Sequence, residues 1–113
     1  MGSFPEIHVF EFVWDKSKAE SNLSKHGVSF EAASGVFHDP LALSLFDKSH
    51  SLIDERWLTI GKLGNGKLIV VSHTHTELPQ GKQLFRLISA RFATRRERLY
   101  YENEPRQGDH HVH

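Results

Sequence analysis

Arg91, Arg95, Arg96 and Arg98 are the residues best suited to chemistry in this chain of 113 residues. A guanidinium stays protonated throughout the physiological pH range, and its planar fork of donors fits two oxygens of one phosphate. Three of the four crowd the first turns of a helix that opens at Thr94, where Thr94 and Glu97 have the spacing of a capping box. Cations there oppose the helix dipole, whose N-terminus is already positive. Helix stability alone would not select them, so they point to a partner carrying negative charge. Lys82 and Arg86 extend the field: within residues 81–98 six cations face one anion, Glu97. The whole chain is neutral, but acids outnumber bases nine to five through Trp57 and the ratio reverses from Leu58 onward. A local positive field on a neutral molecule is the footprint of a small phosphate-binding surface.

The elements that must hold these residues follow from periodicity and breakers. Residues 84–91 read as a strand, with Phe85, Leu87 and Ser89 on one face and Arg86, Ile88 and Ala90 on the other. Residues 8–13 are a first strand. Asp15 then caps a helix over 16–26 with Ala19, Leu23 and Asn22 inward, and Gly27 closes it. Ser29 starts a second helix through Phe37, ended by Asp39-Pro40. Residues 41–46 form a strand and 47–51 a polar loop. Residues 56–63 and 67–75 flank the hairpin turn Gly64-Asn65-Gly66. The run 68–71, apolar on both faces, suggests a central strand, and 76–83 a loop. The order is β-α-α-β-β-β-β-α: an α+β domain with a mainly antiparallel sheet and helices on one side. One domain spans 1–102, with 1–10 as an N-terminal extension or first strand. Residues 103–113 are polar and breaker-rich, which predicts a disordered tail.

Composition narrows the class. The chain contains no cysteine, which excludes disulfides and Cys-based zinc sites. No apolar run approaches the ~20 residues needed to span a bilayer. The N-terminus lacks the basic and apolar regions of a signal peptide, so the cytoplasm is the default compartment.

Several blocks together carry a family resemblance: Phe12-x-Trp14-Asp15, Lys18, Asn22, Lys25-His26-Gly27-Val28-x-Phe30-Glu31, Val36-Phe37-x-Asp39-Pro40, Glu55-Arg56, Gly61, and Ile88-Ser89-Ala90-Arg91-x-Ala93-Thr94-x-x-Glu97. In this order and spacing they resemble the BrnT family of type II toxin–antitoxin systems, from about Phe12 to Glu102. The resemblance implies a RelE-like fold and ribonuclease activity. It also implies a ribbon-helix-helix antitoxin whose complex with the toxin binds operator DNA and represses its own operon. Translation arrest, with or without the ribosome, is the expected consequence of cutting messenger RNA.

Metal-free RNA cleavage, which needs no cofactor, uses the neighbouring 2′-OH as nucleophile. It requires a base for that hydroxyl, an acid for the 5′ oxygen, and cations where charge builds on the phosphoryl oxygens. The resemblance carries Arg91 over as the candidate transition-state cation; its alternative is an ion pair with Glu102 or another surface carboxylate. Arg56 is a second candidate phosphate ligand, with His50 or Glu55 as base or acid; the alternative is a salt bridge between Glu55 and Arg56 at the rim. Arg95, Arg96 and Arg98 suit backbone phosphates, or a solvated helix face. Tyr101 or its neighbour Tyr100 suits base stacking, or packing of the helix. Lys25 and His26 suit phosphate contacts, or the negative end of a helix. Two further classes remain: a non-catalytic module that binds only antitoxin and DNA, and a metal-binding domain built from His73, His75 and the histidines of the tail.

Overall fold

The computed structural model describes residues 9–50 and 54–105. Strand β1 (Val9–Val13) leads to helix α1 (Lys16–His26) and a one-turn α2 (Phe30–Ala33). Then come β2 (Leu43–Phe46), β3 (Trp57–Lys62), β4 (Leu68–Leu78), β5 (Lys82–Phe92) and α3 (Arg95–Asn103). The expected order of elements is observed, and local signals set most of the ends. Asp15 accepts from the Lys18 N–H at 3.0 Å, Ser29 from that of Ala32 at 3.0 Å, and Gly27 closes α1 at φ 71°. The Thr94–Glu97 capping box is complete.

The second helix differs from expectation. It is α-helical only to Ala33 and tightens into a 3₁₀ turn over Ser34–His38. The turn presses Val36 onto β3 at Gly61, where an added Cβ would stand 2.6 Å from the Val36 Cβ and 2.9 Å from its carbonyl oxygen. Only glycine admits that approach.

The sheet has five strands in the order β1-β5-β4-β3-β2. Adjacent strands are antiparallel except β1, which lies parallel to β5 with Val9 opposite Lys82. Residues 76–83 are mostly strand rather than loop: pairing continues to Leu78↔Lys82, and only Pro79–Gly81 turns. Helices cover both faces, not one. Val28, Phe30, Ala33 and Val36 pack on Ile69, Val71, Phe85, Leu87 and Ala90, with Phe10, Phe12 and Phe37 beside them. On the other face, Tyr101 of α3 packs on Ile60, Leu68 and Val70. Being covered twice, the central strand is apolar on both sides.

Asn22, not Leu23, is the inward residue of α1; Leu23 is 52% exposed. Past Val13, β5 has no β1 beside it, and Asn22 takes the place of a neighbouring strand. Its amide donates to the Ala90 carbonyl (2.8 Å) and the Val28 carbonyl (2.9 Å), and its oxygen accepts from the Ala90 N–H (3.0 Å). Asn103, expected to open the tail, instead closes α3. Residues 106–113, like 1–8, lie outside the described residues.

Candidate functional site

The strand pattern read from the sequence breaks at one residue. Ser72 pairs with Ser89 and His73 with Leu87, so Ile88 has no opposite number. This bulge reverses the alternation of β5. Phe85, Leu87 and Ala90 share the α1–α2 face. Arg86, Ser89 and Arg91 share the other face, level with Thr74, Ser72 and Val70. Strict alternation would have put Arg86 and Arg91 on opposite sides.

Arg91 forms a bidentate pair with Glu97: Nη1 donates to Oε1 at 2.7 Å and Nη2 to Oε2 at 2.9 Å. It therefore pairs with a neighbouring carboxylate, though not Glu102. Its hydrogen bonds to Glu97 raise the Arg91 pKa, and those same bonds, with help from the Thr94 backbone, hold Glu97 down at about 2. An anion so stabilised is a poor base at neutral pH. Glu97 still leaves Arg91 with donors to spare. Glu97 takes one N–H from each terminal nitrogen, and Nη1 gives another to the Phe92 carbonyl at 3.4 Å. The Nε–H and one Nη2–H remain in the fork.

Arg86 donates to Asp54 at 3.2 Å, which ties the end of the β2–β3 connection to β5. That connection carries His50, Glu55 and Arg56, and the Asp47 N–H closes it on the Arg56 carbonyl at 2.8 Å. His50 is exposed, with Nδ1 2.9 Å from Asp47 Oδ2. Burial pushes the Asp47 pKa up, but hydrogen bonds from Ser49 and His50 outweigh it and lower the pKa. With Nδ1–H held by a carboxylate, Nε2 is the nitrogen left to take a proton. Arg56, half-buried, precedes Trp57 and so lies level with Thr74 and Arg86. Arg91 lies level with Ile60, four residues further along β3, or about 13 Å at ~3.3 Å per residue. The candidates thus fall into two groups on one face, and Arg86, which the sequence offered only as part of a charged field, stands beside the His50 group.

Of the helix arginines, Arg96 lines an apolar groove of about 240 Å³ under α3 with Leu45, Leu58, Val70 and Tyr100; Arg95 and Arg98 are exposed. Tyr101 is 4% exposed, so its ring is not presented to an RNA base. It packs the core and donates to Asp39 at 2.6 Å. Burial pushes the Asp39 pKa up, but bonds from Tyr101, Lys62 and Leu41 outweigh it and hold it low. Tyr100, 40% exposed, is the available ring. Lys25 and His26 line a separate polar cleft with Lys18, Ser21 and Ser89 along the β5 edge.

His73 and His75 do share a face, as their spacing implied, but His73 is buried with both nitrogens engaged, by Thr59 (2.6 Å) and the Thr74 carbonyl (3.1 Å). Burial lowers its pKa to about 4. Among the described residues, no three His, Cys, Asp or Glu side chains gather as a metal site.

A sequence model of the BrnT ribonuclease toxins of type II toxin–antitoxin systems matches residues 14–97. The chain belongs to the BrnT family. The crystal structure of the Brucella abortus ribonuclease toxin, BrnT, superposes with a TM-score of 0.54 over 77% of this chain and 99% of that one, at 21% identity. At that identity the likeness establishes the shared α+β fold. No curated protein sequence matches. For a BrnT chain the α3 face is notable, since it carries both Arg86 and Arg91. No described helix is long and apolar enough to cross a membrane.

Proposed function

We propose that this BrnT toxin is a metal-independent endoribonuclease that cuts messenger RNA on the sheet face under α3. The observation that carries the reading is the bulge at Ile88, which turns Arg86 and Arg91 to one face beside the hydroxyls of Ser72, Thr74 and Ser89. His50 Nε2, oriented by Asp47, takes the proton of a 2′-OH as its oxygen bonds to phosphorus. The P–O5′ bond then breaks, and a protonated group, with Glu55 as candidate, returns a proton to the 5′ oxygen. Arg56 and Arg86 hold the phosphoryl oxygens. Arg91, pre-oriented by Glu97, holds the same or the adjoining phosphate with its remaining N–H groups. Arg95, Arg96, Arg98, Lys25 and His26 extend the track for the RNA backbone, and Tyr100 replaces Tyr101 as the stacking ring.

The products would be a 2′,3′-cyclic phosphate and a 5′-OH. Incubating RNA with the purified chain in excess chelator tests this. Cyclic-phosphate ends from RNA, and none from a 2′-deoxy substrate, are expected; 3′-OH ends or a metal requirement would contradict it.

The antitoxin, a ribbon-helix-helix protein in this reading, covers the same face. The apolar groove under α3 is edged by two exposed apolar side chains, Leu45 on edge strand β2 and Tyr100 on α3. Binding there would block RNA, and the complex would repress its operon on DNA. Toxin acting on messenger RNA in the cytoplasm would arrest translation. A Leu58→Asp substitution in the groove is expected to abolish antitoxin binding; intact binding would place the interface elsewhere.

A further inference from the structure

A second concavity, of about 290 Å³, opens on the α1–α2 face at the end of the sheet where β3 begins. Rings from Phe37, Trp57, His75 and Phe85 wall it, and Ser44, Thr59 and His73 form its floor. Its volume lies at the lower bound of ~300–1,000 Å³ for ligand pockets, enough for a small planar group. Aromatic walls with a few convergent polar atoms are the means by which proteins hold unpaired bases.

The floor has a direction. The Thr74 carbonyl can only accept, so the proton of the neutral His73 ring is on Nδ1, and Nε2 accepts from Thr59. Thr59 then has no proton left for Ser44. The Ser44 hydroxyl must donate to Thr59 Oγ1, across 2.7 Å. What Ser44 turns to the pocket is a lone pair. Burial, which keeps the ring neutral at physiological pH, keeps the chain of donors pointing this way.

We infer that this pocket receives one unpaired base of the RNA substrate and favours a base with an exocyclic amino group (adenine, cytosine or guanine) over uracil. Such a base gives its exocyclic N–H to Ser44, whereas the one N–H on uracil's pairing edge lies between two carbonyls that find no donor there. The inference rests on the ribonuclease reading and adds the base to it. Trp57 follows Arg56 directly in the chain, so RNA crossing that end of the sheet meets Arg56 on one face and the pocket on the other.

Trp57 is its own reporter once Trp14, the second tryptophan, is replaced by Phe. The single-Trp chain is titrated with short 2′-O-methyl oligomers, which cannot be cut: oligo(A), oligo(U) and an abasic oligomer. Oligo(A) is expected to quench Trp57 and to bind about tenfold or more tighter than the abasic oligomer. Oligo(U) falls between them, Ser44→Ala narrows the gap between A and U, and Ala42→Leu, by filling the pocket, removes the quenching. Equal affinity for abasic and adenine oligomers, or unchanged Trp57 emission on saturation with oligo(A), overturns the proposal. A chain that quenches yet cuts no unmodified RNA would remove the ribonuclease reading alone; one that cuts with Trp57 silent would remove the pocket alone.

Discussion

Both carboxylate oxygens of Glu97 meet both terminal nitrogens of Arg91, and Oε1 also accepts from the Thr94 N–H at 2.9 Å. One side chain therefore fixes the start of α3 and the aim of the last arginine of β5. Because the Glu97 pKa is lowered in the fold, from 4.5 to about 2, its contribution is present above pH ~4.5 and lost as pH falls toward 2. Discounted for partial exposure, that contribution is roughly 1–2 kcal/mol. Urea titrations at pH 7 and pH 3 should show Glu97→Gln destabilised by this amount at pH 7 and by roughly half of it or less at pH 3, where the loss has begun but is not complete.

His73 gives a second acid-sensitive term, with a higher window. Its folded pKa of about 4 lies below the unfolded value of 6.5, so the unfolded chain binds a proton first. Stability should be flat above pH 6.5 and fall by about 3 kcal/mol between there and pH 4. Imidazole resonances followed by NMR should show His73 still unprotonated at pH 5.5, and titration near 6.5 would refute this.

Gly61→Ala should destabilise the fold by about 1–3 kcal/mol, because the new methyl meets Val36 side chain and backbone rather than a flexible tip. Thermal melts of Gly61→Ala and of Gly64→Ala, whose Cβ meets nothing within 4 Å, make the comparison. Equal melting temperatures would mean the turn at Val36 yields.

Asn22→Ala removes three hydrogen bonds and leaves the Ala90 N–H and two carbonyls without them, at a cost of about 2–4 kcal/mol. Hydrogen exchange at the Ala90 amide should accelerate more than global unfolding explains. Unchanged protection there would show that the β5 edge does not depend on this side chain.

The caps at Asp15, Ser29 and Thr94, the Gly64–Gly66 turn and the doubly apolar run at Leu68 were legible because each is written within a few residues. What was not legible is non-local. Whether α3 lies on the same face as α1 depends on where Tyr101 finds Ile60 and Val70. The parallel neighbour of β1 and the length of β4 emerge only from pairing across the chain. The bulge at Ile88 has no glycine to announce it, so strict alternation separates Arg86 from Arg91 and sets Ser89 with Phe85 and Leu87. Asn22 reads as an ordinary helix residue until the bare edge of β5 lies beside it. Glu97 was visible as a cap, but its hold on Arg91, six residues back, required the strand to end where it does.

The central claim is that Arg86 and Arg91 act on one phosphodiester-bearing face because the bulge puts them there. Single-turnover cleavage of a short RNA by wild type, Arg86→Ala, Arg91→Ala and, as a surface control, Lys67→Ala measures it directly. The account predicts that each arginine variant slows cleavage about 10²–10³-fold while Lys67→Ala does not. Wild-type rates in both arginine variants, with the fold intact, would contradict it.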